Sequence, residues 1–284
     1  MIDTAFLSQL KRFHIIVNKK VTSSFTGSRR SHSAGQGIVI SDFRPYTPGD
    51  DFRAIDWKVY ARTDEFFIKR YEEEKNLTTH VLLDASKSMD YGTAKRTKFE
   101  YASMLALGFA YLSMRDNERY TLSLISDKTD YLRAKRSSNQ ILGFLNHLNK
   151  IKCKGVIRFE EEVKKYRKSI KSKSLVVIIS DFLFDVEQIK STLHLFKHHE
   201  VKVIQILDQS ETNFKVYGSV ILEDAETGKE LETYVTEQKR QEFRERLYKH
   251  ITEIEHETKS IGGKFFLFST EEPLFDAFYR IVNT

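Results

Sequence analysis

Residues 174–181, Ser-Leu-Val-Val-Ile-Ile-Ser-Asp, decide the fold. Leu175 to Ile179 are unbroken, apolar and mostly β-branched, which suits a strand better than a helix. A strand with one wet face would alternate. A continuous run predicts one covered on both faces, as in parallel sheets. A second run, Thr-His-Val-Leu-Leu-Asp-Ala-Ser at 79–86, ends in the same way, on an acid and a serine. Further strands are predicted at 121–126 (TLSLIS), 201–207 (VKVIQIL) and 264–269 (KFFLFS). Helical spacing fills the intervals: 97–115 with Phe99, Leu105, Phe109 and Leu112 inward, then 138–149, 158–171, 185–198, 237–259 and 271–282. Alternating strands and helices, joined by right-handed crossovers, predict an α/β fold with a doubly wound, mostly parallel sheet.

Outside that rhythm, 216–236 contains two extended pieces around Glu226-Thr227-Gly228, predicting a β-hairpin insertion. Gly262-Gly263 suits a helix C-cap. Upstream, Phe6, Leu10, Phe13 and Ile16 predict a helix over 4–17 with Asp3 as N-cap, and the small polar residues 22–37 predict a loop. Thr47-Pro48-Gly49-Asp50-Asp51 is a turn signal, and FFIKRYEEE reads as a strand. The expected division is an N-terminal extension, 1–77, and an α/β domain, 78–284.

A chain of 284 residues is long enough for one large α/β domain and an appendage. It has 40% hydrophobic and 30% charged residues, an ordinary globular balance, and three prolines, too few for long stiff linkers. No apolar run approaches the roughly 20 residues of a membrane span, and the first residues lack the order of a signal peptide. The single cysteine, Cys153, excludes an internal disulfide and a multi-cysteine metal site. These features predict a cytoplasmic location. Flanking Lys152 and Lys154 would activate the Cys153 thiol, but an inert cysteine is the simpler reading.

The formal charge is +6, and the first forty residues hold Lys11, Arg12, Lys19, Lys20, Arg29 and Arg30 against Asp3 alone. Phosphate binding would use such an arm. A solvated surface explains it as well, and no nucleic-acid motif accompanies it.

Ligands of open α/β sheets bind at the carboxyl ends of the strands, where strand order reverses. The predicted ends carry Asp84, Ser86, Ser88 and Asp90; then Ser126, Asp127 and Thr129; then Ser180 and Asp181; then Asp208. Carboxylates and hydroxyls without His or Cys are hard donors suited to Mg²⁺ or Mn²⁺. Asp84-x-Ser86-x-Ser88 supplies one anionic and two neutral oxygens, and Asp181 a second carboxylate. Such a poorly neutralised ion would take an acidic side chain from a partner as its last ligand. The same residues are also common helix caps and turn formers.

The segments LLDASKSM and IISDF resemble the first motif and the later strand-end aspartate of von Willebrand factor A domains. Upstream, FRPYTPGDDFRAIDWKVYARTDEFFIKRYEEE resembles the signature of the bacterial family called domain of unknown function fifty-eight. Its elements here are Arg44-Pro45-Tyr46, Pro48-Gly49-Asp50-Asp51, Arg53, Ile55-Asp56-Trp57, Ala61-Arg62 and Lys69. The resemblance runs from about residue 20 to the C-terminus. It implies a von Willebrand factor A-type fold, a bacterial cytoplasmic protein, and a MoxR-type AAA+ ATPase as working partner. Such pairs look like chaperone systems that mature other protein complexes. The resemblance also implies a metal site of the MIDAS kind at Asp84, Ser86, Ser88 and Asp181. One position departs: Val156, in Lys152-Cys153-Lys154-Gly155-Val156-Ile157, stands where the family has a threonine ligand.

The stretch from Arg44 to Arg62 reads as a charge-paired scaffold, Asp50, Asp51 and Asp56 with Arg44, Arg53 and Arg62, over a packed Trp57. Alternatively Arg44, Arg53, Trp57 and Arg62 form a partner-binding epitope, since Arg and Trp are frequent hot-spot residues. No phosphate-binding Gly-Lys loop, serine elbow or nucleophile with its base is present. The expected function is therefore a non-catalytic adaptor for a MoxR-type AAA+ ATPase and an unknown client protein. The alternatives are a metal-free scaffold, an unrecognised metal-dependent hydrolase and a basic nucleic-acid binder.

Overall fold

The computed structural model describes residues 2–21, 34–72, 78–93, 95–116, 118–126, 130–133, 139–153, 159–214, 216–224 and 228–283. They divide into two compact units, residues 1–14 with 77–284, and residues 15–76.

In the larger unit, strands β3 (Thr78–Asp84), β4 (Arg119–Ile125), β5 (Asp130–Arg133), β6 (Ser174–Ser180), β7 (Glu200–Leu207) and β10 (Lys264–Ser269) form one sheet, ordered β10-β7-β6-β3-β4-β5. All pairings are parallel except β4 with β5. Every residue of β6 is buried, as its unbroken apolar run requires. From β3 the chain moves outward to β4, then returns to the other side of β3 as β6. Strand order therefore reverses between β3 and β6. Their register ends at Leu83 opposite Ile179, so Asp84 and Ser180 reach the carboxyl rim together.

Helices α3 (Lys98–Arg115), α4 (Asn139–Leu148), α5 (Phe159–Arg167), α6 (Val186–His194), α7 (Gln209–Asn213), α8 (Glu237–Ser260) and α9 (Leu274–Asn283) connect the strands. Phe159, Val163, Tyr166, Ile189 and Leu193 pack with Val176 and Ile178 in one core cluster. Elsewhere Gly108 of α3 lets Phe278 of α9 approach: a Cβ there would lie 2.7 Å from the Phe278 ring. Helix α1 (Ala5–Val21) buries Phe6, Leu10 and Phe13, with Phe13 against Phe275 and Phe278. Leu112, expected inward, is half-buried. Helix α8 stops where Gly262 takes a φ of +76°, open to glycine without strain.

The hairpin expected near Gly228 is β8 (Gly218–Glu223) paired antiparallel with β9 (Glu230–Val235), a two-stranded sheet of its own. In the smaller unit, β1 (Ala34–Pro45) pairs antiparallel with β2 (Phe67–Glu72), and α2 (Trp57–Thr63) lies between them in sequence. Residues 34–37 thus belong to a strand, not to the loop expected over 22–37; Gly35 and Gly37 hid it, and residues 22–33 lie outside the described residues. The short helix α2 and the edge strand β5 were not anticipated.

Candidate functional site

Asp84 closes β3, and both of its oxygens are engaged. Oδ1 accepts from the Ser86 backbone N–H at 2.8 Å, and Oδ2 accepts from the Ser180 hydroxyl at 2.5 Å. The Ser86 and Ser88 hydroxyls lie 3.0 Å apart at the head of a short 3-10 turn, Lys87–Asp90. The sequence-predicted loop therefore brings Asp84, Ser86 and Ser88 together. Phe182 follows Asp181 in the left-handed region with φ of 51°, uncommon for a bulky residue. Its N–H donates to the Ser180 hydroxyl, and its carbonyl accepts from His250 Nε2. The turn after β6 is held from both sides.

Asp181 faces Lys98. The Lys98 ammonium donates to Asp181 Oδ2 at 2.8 Å and to Glu211 Oε1 at 2.6 Å, and the lysine is 0% exposed. Asp181 Oδ1 accepts from the Leu183 N–H at 3.3 Å, and its carbonyl from Gln205. Glu211 also accepts from the Asp208 N–H, closing the capping box that starts α7. Asp208 accepts from Thr93 through N–H and hydroxyl, from Ser210, and from Thr270. One network thus joins the start of α3 with the ends of β6, β7 and β10.

Electrostatics follow from burial. Desolvation, and next the charge of Asp181, push the Asp84 carboxyl well up. Burial works against the Lys98 charge, but Asp181 and Glu211 outweigh it and hold the ammonium above its ordinary value. Burial raises Glu211, although Lys98 and the Asp208 N–H pull it down. For Asp208, hydrogen bonds from Thr93 and Ser210 outweigh burial and hold the carboxyl below the usual range. Burial, then Asp90 and Asp84, push the buried Cys153 thiol up to about 12, away from the thiolate that its flanking lysines would favour.

The expected Mg²⁺ or Mn²⁺ needs oxygens free to turn toward it. The donors are hard oxygens, but the Lys98 ammonium already stands 2.8 Å from Asp181, where the second carboxylate of the ion would have to come from. This arrangement does not fit the four-donor cradle that the resemblance implied. Val156 and Lys154 lie outside the described residues, as do Asp127 and Thr129. Lys98 and Glu211 were missed by sequence reasoning. The signal for Lys98 was a lysine opening a helix, where the dipole disfavours a cation. For Glu211 it was Asp208-x-x-Glu211, a capping box.

In the smaller unit, Arg44 pairs with Asp50 at 2.5 Å and holds its carboxyl well below the usual range, with help from Thr47. Among the described residues, the expected pairs of Arg53 and Arg62 with Asp51 and Asp56 are not found. Asp51 caps the turn at Arg53 through the backbone, and Asp56 caps α2. The Arg62 side chain donates to the Lys58 carbonyl, and among the described residues neither Arg53 nor Arg62 forms an ion pair. Trp57 is 58% exposed rather than packed beneath. It stands edge-on to Tyr60 and Phe66, which stack at 4.5 Å.

The domain is an open, mostly parallel α/β sheet with acid and hydroxyl loops at its switch point, the arrangement that the resemblance to von Willebrand factor A domains implied. The chain belongs to the family described as "Protein of unknown function DUF58", whose profile matches residues 42–253. An uncharacterized protein of Mycobacterium tuberculosis is 24% identical over 274 residues, covering 95% of this chain and 86% of that protein. Uncharacterized protein YeaD of Bacillus subtilis is 32% identical over 88 residues, 30% of this chain and 22% of YeaD. Among solved structures, the conserved hypothetical protein BatB from Bacteroides thetaiotaomicron aligns with a TM-score of 0.47 and 16% identity, over 73% of this chain and 97% of that one. The SpRpn10 VWA domain aligns at 0.44 with 13% identity, over 71% and 93%.

Proposed function

We propose that this chain is a non-catalytic protein-binding adaptor whose docking face is the strand-end rim together with the β8–β9 hairpin. The observation that carries the reading is the hairpin's exposed apolar surface. Ile221 and Tyr234, 64% and 53% exposed, share one face, with Tyr217 (65%) against Tyr234; Leu231, 61% exposed, points to the other face. A two-stranded hairpin with uncovered apolar side chains gains little from folding alone, and such patches mark interaction sites. The hairpin follows α7 in the chain, and α7 supplies Glu211 to the rim network. At the rim's surface the Lys87 ammonium pairs with Asp90 at 2.9 Å, which raises it.

The non-catalytic part is supported by the hydroxyls. Ser86 and Ser88 hydrogen-bond to each other, and no hydrogen bond among the described residues joins either to a histidine. The partner class comes from the family resemblance: a MoxR-type AAA+ ATPase acting with this chain on a client protein. Arg53, Trp57 and Arg62, exposed on the smaller unit, are a second candidate contact surface. No helix among the described residues is long and apolar enough to cross a membrane; a cytoplasmic site of action belongs to the proposal.

The test is binding of the purified full chain to a MoxR-type AAA+ ATPase from the same genome. Ile221→Glu with Leu231→Glu is expected to weaken binding by at least about tenfold, roughly 1.4 kcal/mol. Unchanged affinity would remove the hairpin from the docking face.

A further inference from the structure

We infer that Lys98 is the resident cation of the strand-end site: its tethered ammonium occupies the electrostatic place of a divalent ion, so the rim is assembled without metal. The inference rests on the rim being the docking face proposed above and states how that face is held.

The position of Lys98 is the first argument. It is the first residue of α3, whose N-terminal pole repels cations and favours anions. A fully buried ammonium is also costly unless paired and hydrogen-bonded. Neither helix formation nor packing recommends lysine here. The two carboxylates do. Asp181 and Glu211 come from different elements, are packed close together, and receive the same ammonium at 2.8 and 2.6 Å. A divalent ion on the Asp84 loop would draw its second carboxylate from Asp181 and would place two positive charges next to a third. At low local dielectric that repulsion is severe.

Saturation is the second argument. The oxygens of Asp84 are committed to Ser86 and Ser180, and the serine hydroxyls to each other. These bonds fix the loop without an ion. An ion sharing Asp181 would sit beside the Lys98 ammonium and compete with the Ser86 and Ser180 donors for the Asp84 oxygens. Because Lys98 is 0% exposed, it does not reach a partner directly. It fixes the starts of α3 and α7 against the end of β6, leaving recognition to the surface around them. A partner carboxylate acting as last ligand to a metal is therefore replaced by contacts that chelators do not affect.

The test is Mn²⁺ titration of the full chain, read by electron paramagnetic resonance. Wild type is expected to leave millimolar Mn²⁺ free. Lys98→Met, similar in length and uncharged, is expected to bind Mn²⁺ at least about tenfold tighter than wild type, and adding Asp84→Ala to abolish the gain. Stoichiometric binding by wild type overturns the inference. So does a folded Lys98→Met protein with no gain. If that variant does not fold, nuclear magnetic resonance of the wild-type lysine ammonium decides. Its protected Nζ signal, absent from Lys98→Arg, should stay in place on adding Mg²⁺; a shift or loss means eviction. These readouts follow the ion and the ammonium, not the partner, so they fail separately from the hairpin experiment.

Discussion

Two regions of the larger unit invert the usual rule of burial. At the rim Asp84, Ser86, Lys98, Asp181 and Asp208 are buried, while on the hairpin Ile221, Leu231, Tyr217 and Tyr234 are exposed. Charges taken from water have to satisfy one another, and once they do they offer little to a ligand. Apolar side chains left in water have no internal partner, and covering them is favourable for whatever docks. In the proposed reading the polar cluster that draws attention as a site is the brace, and the plain-looking hairpin the contact. Each experiment below can break that assignment.

The largest effect is expected at Lys98. Replacing it with methionine leaves buried Asp181 and half-buried Glu211 close together and without their cation. Breaking a buried pair from one side costs about 3–5 kcal/mol. Urea unfolding of Lys98→Met against wild type measures it. A loss below about 1 kcal/mol would mean that water or rearrangement already screens these carboxylates, and the brace would be elsewhere.

Strand β3 sharpens the comparison because it carries a buried titratable group near each end. His80 sits against Tyr166, with Nδ1 and the hydroxyl 2.6 Å apart. Burial, then the charge of His199, lowers its pKa to about 4. The unfolded imidazole takes its proton below about 6.5, the folded one does not. Its share of stability is intact above about pH 6.5 and lost as pH falls to about 4, a total of about 3 kcal/mol. Asp84 has the opposite sign. Its folded pKa is raised, so its share is present at low pH and lost as pH rises from the unfolded value of about 3.9 through the folded one. His80→Phe should flatten the acid limb of a stability-against-pH curve, and Asp84→Asn should gain on wild type as pH rises. Parallel curves for wild type and both variants would show that neither group titrates as its burial requires.

These groups also mark how far the sequence could be read. The sheet was legible because Leu175–Ile179 and Val81–Leu83 need cover on both faces, and that need allows few folds. Asp84, Ser180, Asp181 and Asp208 were placed at one rim because parallel strands end on one side. What the ammonium does there was not legible. Lys98 and Asp181 are 83 residues apart, so a lysine opening a helix signals that a partner is needed but not which one. β1 was hidden by its glycines, β5 by having only four residues, and the exposure of Trp57 by an expectation that dense charge means pairing.

The smallest effect is expected where the functional consequence is large. Ile221 and Leu231 are mostly in water, so Ile221→Glu with Leu231→Glu removes little burial. Surface changes of this kind stay within about 0.5 kcal/mol per site. The hairpin register pairs Ile221 with Glu232 and Leu231 with Leu222, so one new glutamate faces an existing acid. Like charges directly opposite destabilise a ladder, and that contribution should fall with added salt. A double variant that unfolds with nearly wild-type urea dependence yet fails to bind the ATPase separates contact from brace. A variant that loses several kcal/mol would show that the hairpin is packed against its own domain, and the inversion between the two regions would disappear.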